Sequence, residues 1–309
     1  MKNSATACAP ATVSNLACGF DVLGFAMQAP CDIVFAAKKK EKGVTIRKII
    51  SPYGELPLSA NKNTAGVAAS LLLKKVEARF GVELSVEKNL PIGSGLGSSA
   101  ASAVAAAVAV NKIAGEPFSK TELIEFVREA ERVACGSAHA DNAAPSMLGG
   151  IILIRNGNPP NYISLPIPPK LFYAVVHPHV EVLTSVSRSI LPQNIPLKKM
   201  VEQTANLGAF ISGLYSRDYN LIARSLVDVV AEPVRKKLIP CYDEVKAAAI
   251  KCGALGCSIS GSGPSVFALF ETKSLAEKTL VNMRKIFLTK KIPADVFSGK
   301  ISTTGAQIV

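Results

Sequence analysis

The 309 residues include 35 Lys and Arg against 23 Asp and Glu, a formal net charge of +12, with 49% hydrophobic and 19% charged residues. This balance excludes a disordered polymer and gives a chain long enough to divide into two domains. Aromatics make up only 6% and Trp is absent, so the basic charge does not read as a nucleic-acid surface; a small polyanion such as a nucleotide accounts for its sign.

The first residues hold one lysine and no apolar leader core, so no secretory signal is expected. Residues 2–12 read as a strand, followed by a turn-rich segment over Asn15–Asp21 and strands at 31–39 and 43–50. After Pro52, Gly54 and Pro57 a helix is predicted from Asn63 or Thr64, with Gly81 as its C-terminal cap. The strand 82–90 places Val82, Leu84 and Val86 on one side, and a helix over 99–114 stops at Gly115 and Pro117. Ser119 and Glu122 form a capping box that opens a helix through Cys135, with Leu123, Val127, Ala130 and Ala134 as its apolar face. At 100° per residue Glu131 lies about 80° from the centre of that face, nearer the interior than Glu122, Glu125 or Glu129. An acid so placed needs a partner, either an arginine or a metal ion.

Residues 136–142 form a polar loop ahead of Gly149, Gly150 and a strand at 151–154. Five prolines between Asn156 and Pro169 mark a domain boundary at about 157–169. Beyond it come strands near 171–177, 255–260, 265–271 and 293–298, with helices near 197–215, 219–230, 241–251 and 273–287. Strand, helices, two strands, helix, strand is the order of a ferredoxin-like sandwich. The seven cysteines are scattered and none forms C-x-x-C; reduced thiols and a cytoplasmic location fit better than disulfides or zinc. No apolar run reaches membrane-spanning length, since Ala100–Val110 is mostly alanine and holds Ser102.

The most informative stretch is Pro91–Ala101. Gly93, Gly95 and Gly97, with Ser94, Ser98 and Ser99, stand between a strand and a strong helix. Glycine lets backbone approach a ligand closely, and the first amides of a helix lack internal acceptors and carry the positive end of its dipole. Together they suit a phosphate. There is no lysine after Gly97, which excludes a P-loop, and the glycine spacing is wrong for a dinucleotide fingerprint.

The pattern resembles the ATP motif of the GHMP kinase superfamily at Pro91, Gly95, Leu96, Gly97, Ser98, Ser99, Ala100 and Ala101. Residues 9–24 are similar to that superfamily's N-terminal motif, and 256–265 to its C-terminal glycine-rich motif. The resemblance implies an α+β, two-domain fold. Residues 1–160 would form the N-terminal, ribosomal-protein-S5-like ATP-binding domain, and residues 161–309 a C-terminal ferredoxin-like α/β sandwich. Segments 15–21, 136–142, 184–188 and 232–240 resemble the homoserine kinase family in particular. That implies ATP-dependent phosphorylation of L-homoserine to O-phospho-L-homoserine, on the way to threonine.

The same resemblance implies site residues. ATP would lie against Pro91, Ile92, Gly93, Ser94, Gly95, Leu96, Gly97, Ser98, Ser99, Ala100 and Ala101, with Asn63 near the adenine. Mg²⁺ would be held by Ser99 and Glu131. Arg188 and Arg235 would clamp the substrate carboxylate and Asp21 its ammonium, with Asn15, His139, Thr184 and Gly261 lining the pocket. Asn142 would orient the reacting hydroxyl, and Asp141 stands where some GHMP kinases carry a catalytic aspartate. The expected partner is the small-molecule substrate, without nucleic acid or membrane, and a homodimer is the expected assembly.

Overall fold

The computed structural model describes residues 2–309 apart from Ser137, Ala138, Asn156, Asn158 and Pro159; the side chains of Ala134 and Cys135 also lie outside the description. Strands β1 (Ser4–Ser14), β2 (Leu23–Lys39) and β3 (Gly43–Ile50) lead into α1 (Thr64–Lys75) and β4 (Gly81–Glu87). Helices α2 (Ser98–Ala114), α3 (Lys120–Cys135) and α4 (Ala143–Leu148) follow, then β5 (Ile151–Arg155), β6 (Asn161–Leu165) and β7 (Phe172–Pro178). The remaining helices are α5 (Thr184–Ser189), α6 (Leu197–Ser216), α7 (Tyr219–Ser225), α8 (Glu232–Arg235) and α9 (Tyr242–Lys251). The chain ends with β8 (Gly256–Ile259), β9 (Val266–Phe270), α10 (Lys273–Thr289), β10 (Ala294–Lys300) and β11 (Gln307–Ile308).

Among the described residues there are two sheets. The first runs β11-β1-β2-β4-β3, with β5 on β2 and β6 on β5; only β3 and β4 pair in parallel. Its long strand β2 carries β4 along residues 33–39 and β5 along residues 23–25. The second sheet is antiparallel in the order β10-β7-β9-β8, as the ferredoxin-like order of elements predicted. Helix α2 packs on β1 and β2 and also touches α1 and α3. Being enclosed on all sides, it is built almost wholly of small side chains, which let its neighbours approach. The sheets meet at Phe25 of β2, whose ring lies 5.7 Å from Tyr173 and 6.4 Å from Phe267.

Several boundaries differ from the sequence expectation, each for a local reason. Strand β2 begins at Leu23 rather than near residue 31; Pro30 is accommodated where the β1–β2 register breaks between Pro10 and Thr12 and no ladder bond is required of it. Gly81 does not cap α1, which ends at Lys75. It opens β4 instead, where a Cβ would stand 2.1 Å from the Glu41 carbonyl oxygen, so glycine is needed for close approach. Helix α7 stops at Ser225 because the Asp228 carboxylate takes the amides of Val230, Ala231 and Glu232 and starts a new element. Inside the proline-rich stretch, β6 still hydrogen-bonds to β5, and β11 returns to β1, so the first sheet draws on residues well beyond position 160.

Candidate active site

The N-terminal motif folds into a left-handed turn. Asn15, Leu16 and Ala17 have φ of 72°, 41° and 57°, and Asp21 has 58°. Each such residue costs on the order of 1–2 kcal/mol, and packing must hold it there. Leu16 and Ala17 are buried in the core. The Asn15 side chain uses both its functions: Oδ1 accepts from the Asp21 amide at 3.0 Å and Nδ2 donates to the Gly261 carbonyl at 3.0 Å. Asn15 thereby ties the backbone at Asp21 to the glycine-rich segment of the second half.

The stretch 91–97 crosses from β4 to α2 with Gly93, Gly95 and Gly97 at φ of 65°, 75° and 67°. Gly97 is the N-cap of α2 and supplies no side-chain acceptor, so the first amides of that helix are left open to an anion. Close packing explains two of these glycines. A Cβ on Gly95 would lie 2.4 Å from the Ser260 carbonyl oxygen, and one on Gly97 would lie 2.1 Å from Thr12 Oγ1. A Cβ on Gly93 would meet nothing within 4 Å, because that residue faces open space.

The capping box at the start of α3 forms as predicted, with Ser119 Oγ accepting from the Glu122 amide and the Glu122 carboxylate accepting from the Ser119 amide. It sets the helix register that turns Glu131 inward. Ser99 Oγ donates to Glu131 Oε2 at 2.9 Å, while Glu131 Oε1 is buried and has no hydrogen-bond partner among the described residues. Burial raises the Glu131 carboxyl to about 7, against the opposing effects of the Ser99 hydrogen bond and the Lys88 charge. Asp141 is also raised to about 7, by burial and by the charge of Asp21. Beside it, Asn142 accepts from Thr12 Oγ1 at 2.8 Å and donates to Ser14 Oγ at 3.2 Å, so its amide is oriented by both hydroxyls.

A third group gathers around Asp21. Arg188 on α5 donates to both its carboxylate oxygens, at 2.8 and 3.1 Å, and His139 Nδ1 lies 3.4 Å away. Burial pulls the His139 pKa down while Asp21 opposes the shift. Arg188 Nε is buried and without a partner among the described residues. Arg235, on the short helix α8, donates to the Ser187 and Gly261 carbonyls and stacks 5.1 Å from the Phe20 ring centroid.

All three groups open on one cavity of about 380 Å³. Its wall includes Asn15, Asp21, Asn63, Ile92, Gly93, Ser94, Gly95, Gly97, Ser98, Ser99 and Ala100. Glu131, His139, Asp141, Asn142, Thr184, Arg188, Arg235 and Gly261 complete the residues expected there. Three others stand behind the wall: Pro91, Leu96 and Ala101 are buried, and Leu96 serves through its carbonyl, which accepts from the Thr12 amide. Asn63 caps α1, accepting from the Ala65 amide. Ser137 and Ala138 of the 136–142 segment lie outside the described residues.

A family model described as the N-terminal domain of GHMP kinases matches residues 63–150, and one for their C-terminal domain matches residues 210–287. A curated homoserine kinase from Chlorobium phaeobacteroides is 50% identical over 313 residues, spanning 97% of this chain and 98% of that protein. The chain belongs to the homoserine kinase family. A crystal structure of homoserine kinase from Cytophaga hutchinsonii superposes with a TM-score of 0.96 at 45% identity, covering 100% of this chain and 98% of that one. L. major mevalonate kinase, crystallised with R-mevalonate, has a TM-score of 0.73 at 15% identity over 97% of each chain, a likeness of fold.

Two further residues of this homoserine kinase family chain, Ser14 and Lys88, also line the cavity, and Thr12 stands behind its wall. Thr12 and Ser14 sit within the N-terminal motif yet act as hydrogen-bond supports for Asn142. Lys88 continues the parity of Val82, Leu84 and Val86, so the period-two rule already placed a lysine on the buried side.

Proposed function

We propose that the chain transfers the γ-phosphoryl group of ATP to the side-chain hydroxyl of L-homoserine, giving ADP and O-phospho-L-homoserine, a step towards threonine. The observation that carries this reading is the pairing, in one cavity, of an open helix start with a matched set of opposite charges. Homoserine is a zwitterion. Asp21 can receive its ammonium, and Arg188, with Nε unpartnered and buried, has a donor free for its carboxylate. The Asp21–Arg188 pair thus rests on itself and exchanges for the substrate's two charges, so neither partner is left bare in either state.

On the nucleotide side, the open amides of α2 and the glycines of 91–97 receive the phosphates. Ser99 and Glu131 offer hydroxyl and carboxylate oxygens, with Glu131 Oε1 lacking any other partner, a donor set that suits Mg²⁺ completed by phosphate and water. Mg²⁺ bound there supplies charge neutralisation on the phosphates. Transfer forms the bond from the homoserine hydroxyl oxygen to the γ-phosphorus and breaks the bond to the ADP oxygen. Asn142, fixed by Thr12 and Ser14, orients the hydroxyl. Its proton passes to the transferred phosphoryl group or to Asp141, whose raised pKa makes it a competent acceptor near neutrality.

The test is a coupled ADP-release assay with Mg-ATP over homoserine, mevalonate and galactose. Turnover with homoserine alone supports the reading, and silence with homoserine ends it. Retention of turnover in Asp141→Asn would assign the proton to the phosphoryl group. The reaction's need for ATP, with free thiols at Cys8, Cys18 and Cys257, supports a cytoplasmic location. A homodimer is the working assembly, read by light scattering.

A further inference from the structure

Beneath the glycine stretch, at the floor of the cavity, lies a buried network whose Lys88, Asp32 and Ser102 have no part in the roles above. The Lys88 ammonium contacts Asp32 Oδ2, the Ser98 carbonyl and Ser102 Oγ, the last at 2.8 Å. Ser102 Oγ in turn donates to Asp32 Oδ2 at 2.6 Å, and Asp32 Oδ1 accepts from the amides of Asn89 and Leu90 at 2.9 and 3.1 Å. The side chains of Lys88 and Asp32 are only 3% and 0% exposed. Burial alone pulls the lysine pKa down. Three acceptors around Nζ, however, require the three N–H groups of the charged form, and the Asp32 carboxylate is saturated by four donors. A buried ion pair of this kind is weak evidence for added stability, since apolar side chains of similar volume often do as well. Its placement is what needs explaining.

The network grips both ends of the 91–97 segment. On the entry side it holds the amides of Asn89 and Leu90; on the exit side it holds the first two turns of α2 through the Ser98 carbonyl and the Ser102 hydroxyl. Ser98 Oγ closes the span by donating to the Leu90 carbonyl at 3.2 Å. Between these ends stand three left-handed glycines, which have the least intrinsic rigidity of any residue. The peptide plane adds a directional consequence. Fixing the Ser98 carbonyl on Lys88 fixes the Ser99 amide in the opposite sense, and Ser99 lies on the cavity wall. Thr64 Oγ1 does the same one residue later, donating to the Ser99 carbonyl at 3.0 Å.

We propose that Lys88, together with Asp32 and Ser102, is a positioning residue for the nucleotide: it holds the glycine segment and the first amides of α2 in the phosphate-receiving geometry before ATP arrives. The proposal rests on the kinase reading of the cavity. Preorganisation of this kind appears as affinity for the nucleotide, because the ordering cost is met in advance.

The experiment compares wild type with Asp32→Asn/Lys88→Met, which removes both charges at near-constant volume, and with Ser102→Ala, which keeps both. KM for ATP, KM for homoserine and the melting temperature are measured for each. The double variant is expected to raise KM for ATP about tenfold or more, with KM for homoserine within twofold of wild type. Ser102→Ala should raise KM for ATP about two- to threefold. An unchanged KM for ATP in a folded variant overturns the proposal, as does a parallel rise in both KM values, which would mark a general structural lesion. Should the double variant fail to fold, Ser102→Ala decides by the same criteria. Absence of homoserine turnover in wild type would instead overturn the kinase reading itself.

Discussion

Replacing Arg188 by alanine separates the two charges that the cavity presents to its substrate. Arg188 and Asp21 form a two-pronged pair, with side chains 31% and 20% exposed. On the proposed reading, the guanidinium faces the homoserine carboxylate in the substrate complex. A charge-assisted contact of this kind is worth about 1.5–3 kcal/mol, and truncating one partner of a desolvated pair costs about 2–5 kcal/mol. The partial exposure of Arg188 favours the lower half of that range, so about 3 kcal/mol is expected, on the order of a 150-fold loss in kcat/KM for homoserine. KM for ATP should stay near the wild-type value, since Arg188 contacts neither the glycine segment nor Glu131. The control is 3-aminopropan-1-ol, which is homoserine without its carboxylate. Wild type should use it poorly, and Arg188→Ala should lower its kcat/KM no further. Measured by coupled ADP release, an equal loss on both substrates would refute the carboxylate assignment. So would an Arg188→Ala enzyme within threefold of wild type on homoserine.

Three further outcomes follow from the same geometry. Glu131→Gln should lower kcat about 100-fold or more at saturating Mg-ATP and shift the Mg²⁺ dependence to higher concentration, while leaving homoserine affinity intact; an unchanged Mg²⁺ titration would remove Glu131 from the metal site. Gly95→Ala places a Cβ 2.4 Å from the Ser260 carbonyl in a left-handed conformation, so it should abolish ATP binding and lower the melting temperature by several degrees, both read by thermal shift with and without nucleotide. Asp141 has a folded pKa of about 7, raised from 3.8. The folded protein therefore binds more protons than the unfolded chain between those values, and this group's stabilisation is full below about pH 4 and lost as pH rises through 7. Asp141→Asn should accordingly gain stability over wild type on going from pH 5 to pH 8 in the absence of ligand; a constant difference across that range would contradict the buried, raised carboxyl.

Local signals carried much of this architecture, and they failed where distant contacts decided the matter. Glu131 could be placed from helical angle alone because α3 has one apolar face and a capping box that fixes its start. The second sheet was legible because its strands are short apolar runs bounded by glycine and proline. Strand β6 was not, since Asn161, Ile163 and Ser164 are exposed and the segment gains its strand character from pairing with β5. Gly81 misled because a glycine past a helix suggests a left-handed cap, whereas this one is demanded by the backbone of the β2–β3 connection. The glycine stretch announced an anion site by composition. The ion pair between Asp21 and Arg188, positions 167 residues apart, could not be read from either residue's surroundings in sequence.

The return of β11 to the first sheet bears on how this molecule comes to be folded. Cys8 pairs with Gln307 and Ala7 with Ile308, and the Val309 amide adds a bond to the Thr6 carbonyl. Those contacts close a loop that contains the entire second sheet, and loop closure on that scale is a late event in a folding chain. Until it happens, β1 presents an unpaired edge to any other strand in its vicinity. The step that completes the sheet is thus also the step that covers the Thr6–Cys8 stretch of the β1 edge, and a fragment ending before residue 307 would leave that stretch without its partner strand.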